Sequence, residues 1–155
     1  HHGRFFCRPE HPILQQGPVG LAGLLEFPWV ASRLPPRVAA NLPQAVCKAG
    51  RIDPLNGDFV PAIEIDVPFA LAGLIAGNDA LALSSLVLME QELAAGSVAL
   101  VPMAGIDLRA GYGFIYLKNR SLTPAAKTYM QEILAVEEDI VQREAALSRR
   151  FDEQR

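Results

Sequence analysis

The sequence predicts an α/β fold, and a few segments of the central region carry that prediction. Residues 63–67 alternate apolar and acidic side chains, which is the pattern of a strand with one solvent-exposed face. Residues 80–83 form a run too short and too apolar to be anything but a buried strand. Residues 97–102 give a further strand. Because helical segments separate these strands, we expect right-handed parallel crossovers.

The first crossover helix is predicted at residues 68–76. Asp66 can accept hydrogen bonds from the first free N–H groups of that helix. Pro68 suits the first turn, where a missing N–H costs nothing. Residues 77–79, Gly-Asn-Asp, are predicted to end the helix through a left-handed conformation.

The second crossover helix is predicted at residues 86–94. Ser84 and Ser85 end the strand before it, and their hydroxyls can cap its free N–H groups. Gly96 is expected to close the helix. Parallel α/β sheets bind ligands at the carboxyl ends of their strands, so this strand end and the one at Asp66 mark a candidate binding edge.

The chain before residue 63 is predicted to alternate short strands and helices. Trp29 is the expected core anchor, and His11 is expected to fix a turn between prolines rather than to act as a base. Residues 52–61 are rich in Asp, Pro, Asn and Gly, which indicates an exposed loop, and their acids fit no calcium-loop spacing. The other predicted elements are a strand at 4–8, a helix at 19–26, a strand at 27–32, and helical pieces at 38–41 and 44–48.

After the central region the sequence predicts a strand and a long helix. Residues 111–117 place their aromatic side chains on one face, which favours sheet packing over a platform for stacked bases. Thr123 is predicted to cap a helix that begins at Pro124 and continues to about residue 150. That helix is long for so small a domain, so its far half is expected to dock on another part of the protein.

Composition and charge exclude several function classes. The 155 residues, 50% hydrophobic and 20% charged, suit one globular domain or a large and a small lobe. A net charge of −3 without a basic run gives no electrostatic reason to bind DNA. The longest apolar run, 67–76, is too short to span a membrane, and no signal-peptide core is visible. Cys7 and Cys47 fit no metal pattern and are expected to be reduced thiols of a cytoplasmic protein.

The sequence contains no recognisable catalytic motif. It has no Gly-x-Ser-x-Gly, no P-loop, and no Gly-x-Gly-x-x-Gly after a strand. No His, Cys and carboxylate residues share a metal-binding spacing, so we expect no metal and no cofactor. Ser32, Ser84 and Ser85 have no neighbouring base in the sequence, and helix capping accounts for the last two. The pattern favours binding over catalysis, and we expect no enzyme activity.

Several short motifs occur in one order along nearly the whole chain. They are R-P-E-H-P-I-L at 8–14, L-I-A-G-N-D-A-L-A-L at 74–83, E-L-A-A-G-S-V at 92–98, Y-G-F-I-Y-L at 112–117 and R-S-L-T-P-A-A at 120–126. In this order they resemble the effector-binding, or substrate-binding, domain of LysR-type transcriptional regulators. Glu10 stands where that family usually has glycine.

The resemblance implies a fold like that of type 2 periplasmic binding proteins, in which two crossover strands join two α/β lobes around a ligand cleft. Residues 4–8 and 112–117 would be those crossover strands and would pair antiparallel. Residues 1–118 would form the second lobe, a three-layer lobe with a mixed sheet. Residues 119–155 would be a C-terminal helix that returns to a mostly absent first lobe, so the chain is expected to be a fragment.

The resemblance also implies a function. A small metabolite would bind between the lobes, the homo-oligomer would rearrange, and an N-terminal helix-turn-helix domain absent from this sequence would change its contact with DNA. No membrane partner is expected. Two alternatives stay open: a small-molecule-binding receptor or enzyme on the same two-lobed fold, and a purely structural oligomerisation module.

The expected effector site lies where the central parallel strands end, because those ends converge at one edge and two predicted helix N-termini point into the same crevice. Arg33 could bind a carboxylate through two hydrogen bonds, which favours an anionic metabolite. The expected ligand-binding residues are Ser32, Arg33, Asp66, Val67, Pro68, Ser84 and Ser85.

Overall fold

The computed structural model describes residues 1–42, 47–105, 108–109 and 111–153. The chain divides into two compact units, one of residues 2–108 and the other of His1 with residues 109–155. The described elements, in chain order, are β1 (Arg4–Cys7), α1 (Leu21–Leu25), β2 (Trp29–Ala31), α2 (Pro36–Ala39), β3 (Gly50–Ile52), β4 (Phe59–Pro61), β5 (Ile63–Glu64), α3 (Leu71–Ile75), β6 (Leu81–Ser84), α4 (Glu90–Ala95), β7 (Ala99–Leu100) and α5 (Pro124–Glu153). Short 3-10 helices lie at Pro12–Gln16 and Pro68–Ala70.

A five-stranded mixed sheet forms the centre of the first unit, with strand order β5-β2-β6-β1-β7. Strand β2 pairs in parallel with both β5 and β6. Strand β1 pairs antiparallel with β6 on one side and β7 on the other. The α/β class, the mixed sheet and the parallel pairing of the central strands are therefore as the sequence predicts.

Burial differs between the central strands and the edge strand. All three residues of β2 are buried, as are Leu81 and Ala82 of β6. Strand β5 covers only Ile63 and Glu64, and both are exposed. The alternation of residues 63–67 predicts one buried face, and this expectation is wrong, because β5 lies at the edge of the sheet and its open side faces solvent.

Aromatic rings fill the main core, which lies on one face of the sheet. The ring of Trp29 lies 4.6 Å from that of Phe5 and 5.3 Å from that of Phe59, measured between centroids. The indole Nε1 of Trp29 donates a hydrogen bond of 2.9 Å to the carbonyl oxygen of Leu24, so its polar atom is satisfied inside the core. Trp29 is fully buried and is the predicted anchor.

A two-stranded antiparallel hairpin of β3 and β4 occupies the region predicted to be a loop at 52–61. The hairpin begins at Gly50, whose φ is 154° and whose Cβ, if it had one, would collide with the carbonyl oxygen of Val60. Only its turn fits the loop prediction: the carboxylate of Asp53 accepts from Leu55 N at 3.0 Å, as polar turn residues commonly do. The composition of the turn concealed the short strands on either side of it.

The helices are shorter than the sequence patterns indicate. Helix α3 stops because the side chain of Asn78 donates to Leu74 O at 2.6 Å and accepts from Ala80 N at 2.8 Å. The predicted left-handed stop at 77–79 is therefore wrong. Helix α4 ends at Gly96, which has the predicted left-handed conformation with φ 70°.

The helical pieces predicted before residue 50 have mixed outcomes. Helix α2 covers part of the predicted stretch 38–41. Residues 43–46 lie outside the described residues. Cys47, which was predicted to be helical, instead exchanges backbone hydrogen bonds with Gly50 at 3.0 and 3.2 Å. His11 caps the 3-10 helix that follows it, because its Nδ1 accepts from Ile13 N at 3.0 Å, and so it fixes the turn as predicted.

In the second unit, helix α5 is the predicted long helix. Pro124 is its first residue, and the hydroxyl of Thr123 accepts from Ala126 N at 3.2 Å, so the predicted cap is confirmed. Residues 111–117 form no strand, and Ile115 among them is fully exposed. The predicted antiparallel pairing of 112–117 with 4–8 is wrong, because β6 and β7 already occupy both sides of β1. Among the described helices, none combines the length and apolar character that crossing a membrane requires.

Candidate functional site

The predicted ligand-binding residues of the first unit lie at one edge of the sheet. Strands β5, β2 and β6 are adjacent and parallel, so their carboxyl ends lie side by side, about 5 Å apart from strand to strand. Ser32 follows β2, Ser84 ends β6, and Asp66 follows β5. The structure therefore brings the three predicted segments together at the edge where parallel sheets bind ligands.

Ser32 and Ser84 occupy matching positions on neighbouring strands. Val30 of β2 pairs with Ala82 of β6, and each serine lies two residues further along its chain. Ser84 shares the face of Ala82, because side chains two residues apart in a strand point to the same face, and Ser32 lies at the same edge, one residue beyond the end of β2. Ser32 is exposed and Ser84 is half-buried. Together they offer hydroxyl donors and acceptors beside each other at the edge.

Ser85 is partly committed to the backbone. Its hydroxyl accepts a long hydrogen bond of 3.4 Å from Leu88 N. Residues 86–89 form turns, and helix α4 begins only at Glu90. The predicted helix over 86–94 therefore starts later than expected, and Ser84 and Ser85 do not cap its N-terminus.

Asp66, Val67 and Pro68 form the turn between β5 and a 3-10 helix, rather than the start of a long α-helix. Val67 is the residue at the cap position, and no side chain accepts a capping hydrogen bond there, so the predicted capping role of Asp66 is wrong. The 3-10 geometry of the first turn, which Pro68 begins, displaces the cap by one residue. Val67 is 57% exposed and Phe69 is 88% exposed. An apolar surface thus lies next to the polar strand ends.

Arg33 is at the predicted edge but is already paired. Its Nε donates to Glu64 Oε1 at 2.6 Å, and its Nη1 donates to Asp53 Oδ2 at 3.3 Å. The hydrogen bond to Glu64 raises the pKa of the guanidinium above its ordinary value, with the charge of Asp53 adding to the effect. An effector carboxylate would compete with both acids for this arginine.

Arg4 is a cation at this edge that the sequence did not single out. It is the direct antiparallel partner of Ser84, and it is half-buried. Its Nε atom is enclosed and makes no hydrogen bond with any residue that the structure describes. The signal that would have identified it is the antiparallel pairing of residues 4–6 with 82–84, which local sequence patterns do not reveal.

The titratable side chains elsewhere in this unit serve the fold. Burial raises the pKa of the Cys7 thiol to about 12, so the thiol is protonated at neutral pH. Both Cys7 and Cys47 are free thiols. Within the described ranges, no group of His, Cys, Asp and Glu side chains could hold a metal ion.

A separate cavity of about 340 Å³ lies among residues of the apolar core. The predicted ligand-binding residues are not among those that line it. The cavity is therefore distinct from the strand-end edge. Its lining residues are Phe5, Leu21, Trp29, Asn41, Leu42, Gly105 and Leu108.

Comparison with known proteins gives a consistent result. The family model described as LysR substrate binding domain matches residues 3–137. The chain is 33% identical over 136 residues to the SDS degradation transcriptional activation protein of a Pseudomonas species. The aligned region covers 85% of this chain and 42% of that protein. It is 26% identical over 140 residues to the HTH-type transcriptional regulator GbpR of Azospirillum brasilense. This aligned region covers 90% of this chain and 40% of that protein. The chain thus spans about two fifths of the length of these relatives.

Proposed function

This chain belongs to the LysR substrate-binding domain family, and from that premise we propose that it binds a small-molecule effector which controls the DNA binding of the whole regulator. The relatives that it resembles are transcriptional regulators. The observation that supports an effector site in this chain is the convergence of Ser32, Ser84 and the 66–68 turn at one sheet edge.

The proposal includes the arrangement of the whole domain. Residues 1–118 would be the second lobe, with helices on both faces of its sheet, and residues 119–155 would return to a first lobe formed by other parts of the protein. The effector would lie between the two lobes. DNA would be contacted through a helix-turn-helix domain outside this sequence, since the net charge of −3 offers no basic surface for it here.

The proposed control is allosteric. The effector would bind one arrangement of the lobes more tightly than the other, and that difference in affinity is the free energy that shifts the DNA-binding domains. A homo-oligomer would carry the change from the effector domain to the DNA. The protein would act in the cytoplasm and would not be an enzyme.

The proposed effector combines an oxyanion with an apolar part. The serine hydroxyls and the arginines at the edge suit a carboxylate or a sulfate, while exposed Val67 and Phe69 suit an alkyl or aryl group beside it. One relative is named for the activation of SDS degradation. Alkyl sulfates and alkyl carboxylates of medium length are therefore the first compounds to test.

A direct test uses the full-length regulator and a DNA fragment that it binds. Octyl sulfate and octanoate are titrated by calorimetry, and their effect on DNA binding is followed by fluorescence anisotropy. We expect at least one of them to bind and to change the affinity for DNA. The result that would refute the proposal is an unchanged affinity for DNA with every compound of a broad metabolite panel.

A matched pair of serine variants tests the location of the site. Ser84→Ala should weaken effector binding and leave unliganded DNA binding intact. Ser97→Ala is the control, because Ser97 is exposed and precedes β7, which runs in the same direction as β6, so it lies at the opposite edge. Equal effector affinities in the two variants would place the site elsewhere.

A further inference from the structure

The position of Arg4 follows from the register of the sheet. Arg4 and Ser84 are direct partners on the antiparallel strands β1 and β6. Side chains of direct partners lie on the same face of the sheet, with Cβ atoms roughly 4.5–5.5 Å apart. A guanidinium and a hydroxyl therefore lie on one face at this edge, and Ser32 follows the neighbouring strand β2 at the same edge.

The Nε atom of Arg4 is withdrawn from water without a hydrogen-bond acceptor among the residues that the structure describes. The residue is half-buried, and its enclosed Nε finds no hydrogen-bond acceptor in the described part of the chain. Removing a charged donor from water costs free energy unless an acceptor replaces the water. The Nε–H donor of Arg4 therefore lacks an acceptor among the described residues.

Other arginines near the same strands are committed to acids of the fold. Arg8, at the other end of β1, donates from Nε and Nη2 to Asp79 Oδ1 at 3.1 and 2.9 Å. Arg33 is held by Glu64 and Asp53. Arg4 differs from both, because no described acid pairs with it. It is thus the cation at this edge that can bind an anion without first breaking an ion pair.

We infer that Arg4 binds the oxyanion of the effector, a carboxylate or a sulfate, with Ser84 as the second donor. This inference rests on the proposed function and names the residue that selects an anionic ligand. The acids described at this edge are Glu64 and Asp53, which are paired with Arg33, and Asp66, which is exposed to water and so is screened. Arg33 would tie the strand ends together and leave the charge recognition to Arg4.

Calorimetry on the full-length protein with matched ligands tests the inference. The probes are octanoate, octyl sulfate and octanamide, which is a neutral analogue of octanoate. We expect the wild-type protein to bind at least one of the two anions, and to bind octanamide at least tenfold more weakly than octanoate or not at all. The two anions distinguish a carboxylate from a sulfate ligand.

Two variants of Arg4 separate the effect of its charge from the effect of its side-chain geometry. Arg4→Gln should weaken binding of the anion roughly tenfold or more without changing the affinity for octanamide, and Arg4→Lys should recover part of the loss because it keeps the charge. Arg51→Gln is the control, because Arg51 is exposed on the separate β3–β4 hairpin. Circular dichroism establishes that each variant is folded.

A crystal structure of the wild-type protein with the tighter anion gives a result independent of the variants. We expect an oxygen of the ligand within hydrogen-bonding distance of a guanidinium nitrogen of Arg4. A bound anion that contacts Ser84 but not Arg4, or equal affinities in wild type and Arg4→Gln, would overturn the inference and leave the proposed effector site intact. Failure of both anions to bind would overturn the assignment of an anionic ligand.

Discussion

The guanidinium of Arg33 and the carboxylate of Glu64 join two neighbouring parallel strands at their carboxyl ends, with 2.6 Å between Nε and Oε1. Arg33 follows β2, and Glu64 is the last residue of β5. A second contact, from Nη1 to Asp53, connects the same arginine to the turn of the hairpin. Arg33 therefore connects the ends of β2 and β5 to the turn of the hairpin.

Replacing Arg33 should affect the effector response more than the stability of the fold. Both side chains are exposed, so the ion pair contributes little to unfolding free energy. Arg33→Ala should weaken effector binding because the strand ends lose their cross-link, and unliganded DNA binding should stay unchanged. Urea unfolding and calorimetry measure the two effects. Glu64→Gln is the matched variant: if effector affinity falls in Arg33→Ala but not in Glu64→Gln, Arg33 contacts the ligand directly instead.

Substitution of Gly50 should destabilise the first unit. A Cβ at this position would collide with the carbonyl oxygen of Val60, and its φ of 154° is unfavourable for any other residue. We expect Gly50→Ala to lower the unfolding free energy by more than about 1 kcal/mol in urea titrations followed by the fluorescence of the single tryptophan, Trp29.

Gly73→Ala is the control for Gly50→Ala. Gly73 lies inside α3, and a Cβ there would meet nothing within 4 Å. Alanine should stabilise this helical position by about 0.5–1 kcal/mol. Equal stability of the two variants would show that the hairpin tolerates a side chain at Gly50.

The Cys7 thiol should be nearly inert in the folded protein. Burial raises its pKa from 9.0 to about 12, so the reactive thiolate is scarce at pH 8. Iodoacetamide labelling followed by peptide mass spectrometry should show slow modification of Cys7 in buffer and rapid modification in urea. Rapid labelling of Cys7 under native conditions would contradict the burial of β1.

The raised pKa of the Cys7 thiol predicts a loss of stability of the folded protein at high pH. The folded-state pKa of Cys7 lies above the unfolded value. The contribution of Cys7 to the free energy of unfolding is therefore complete below pH 9 and falls as the pH rises from about 9 towards 12. Above pH 9 the unfolded state releases a proton that the folded state retains, which favours unfolding. Cys7→Ala should reduce this part of the pH dependence in thermal melts recorded between pH 8 and pH 10.5.

The chain should self-associate through helix α5. Its exposed apolar side chains extend over much of the helix, and such side chains commonly mark an interface. Four apolar side chains of α5 are at least half exposed, namely Tyr129, Leu134, Val136 and Val141. Light scattering at high concentration should show a species larger than a monomer. The double variant Leu134→Lys, Val141→Lys should shift it towards the monomer, whereas Glu132→Lys, also exposed on α5, should not.

Local patterns predicted the parts of the fold that local forces determine. The apolar run around Leu81, the anchor Trp29, the glycine stop at Gly96 and the cap at Thr123 all follow from side chains that act on their own neighbourhood. The convergence of the parallel strand ends was also predictable, because crossover connections leave few topologies.

Several of the incorrect predictions share one physical cause, which is backbone pairing that no local sequence pattern reveals. Residues 111–117 have the alternation of a strand, but a strand needs a free edge, and β1 has none. The hairpin around Gly50 was missed because its turn composition hides very short strands that are stable only through pairing. Arg4 was missed for the same reason, since its relation to Ser84 exists only once β1 and β6 have paired.

The antiparallel strand β1 also affects how this chain folds while it is being synthesised. It leaves the ribosome before every other strand of the sheet, yet its two neighbours, β6 and β7, come from the far part of the same unit. Until Ser84 has emerged, Phe5 and Phe6 have no strand to pair with, and until Leu100 has emerged one side of β1 keeps its backbone unpaired. A nascent chain truncated before β7 would therefore display the apolar segment of β1, and it is this segment that a chaperone would need to shield until translation passes β7.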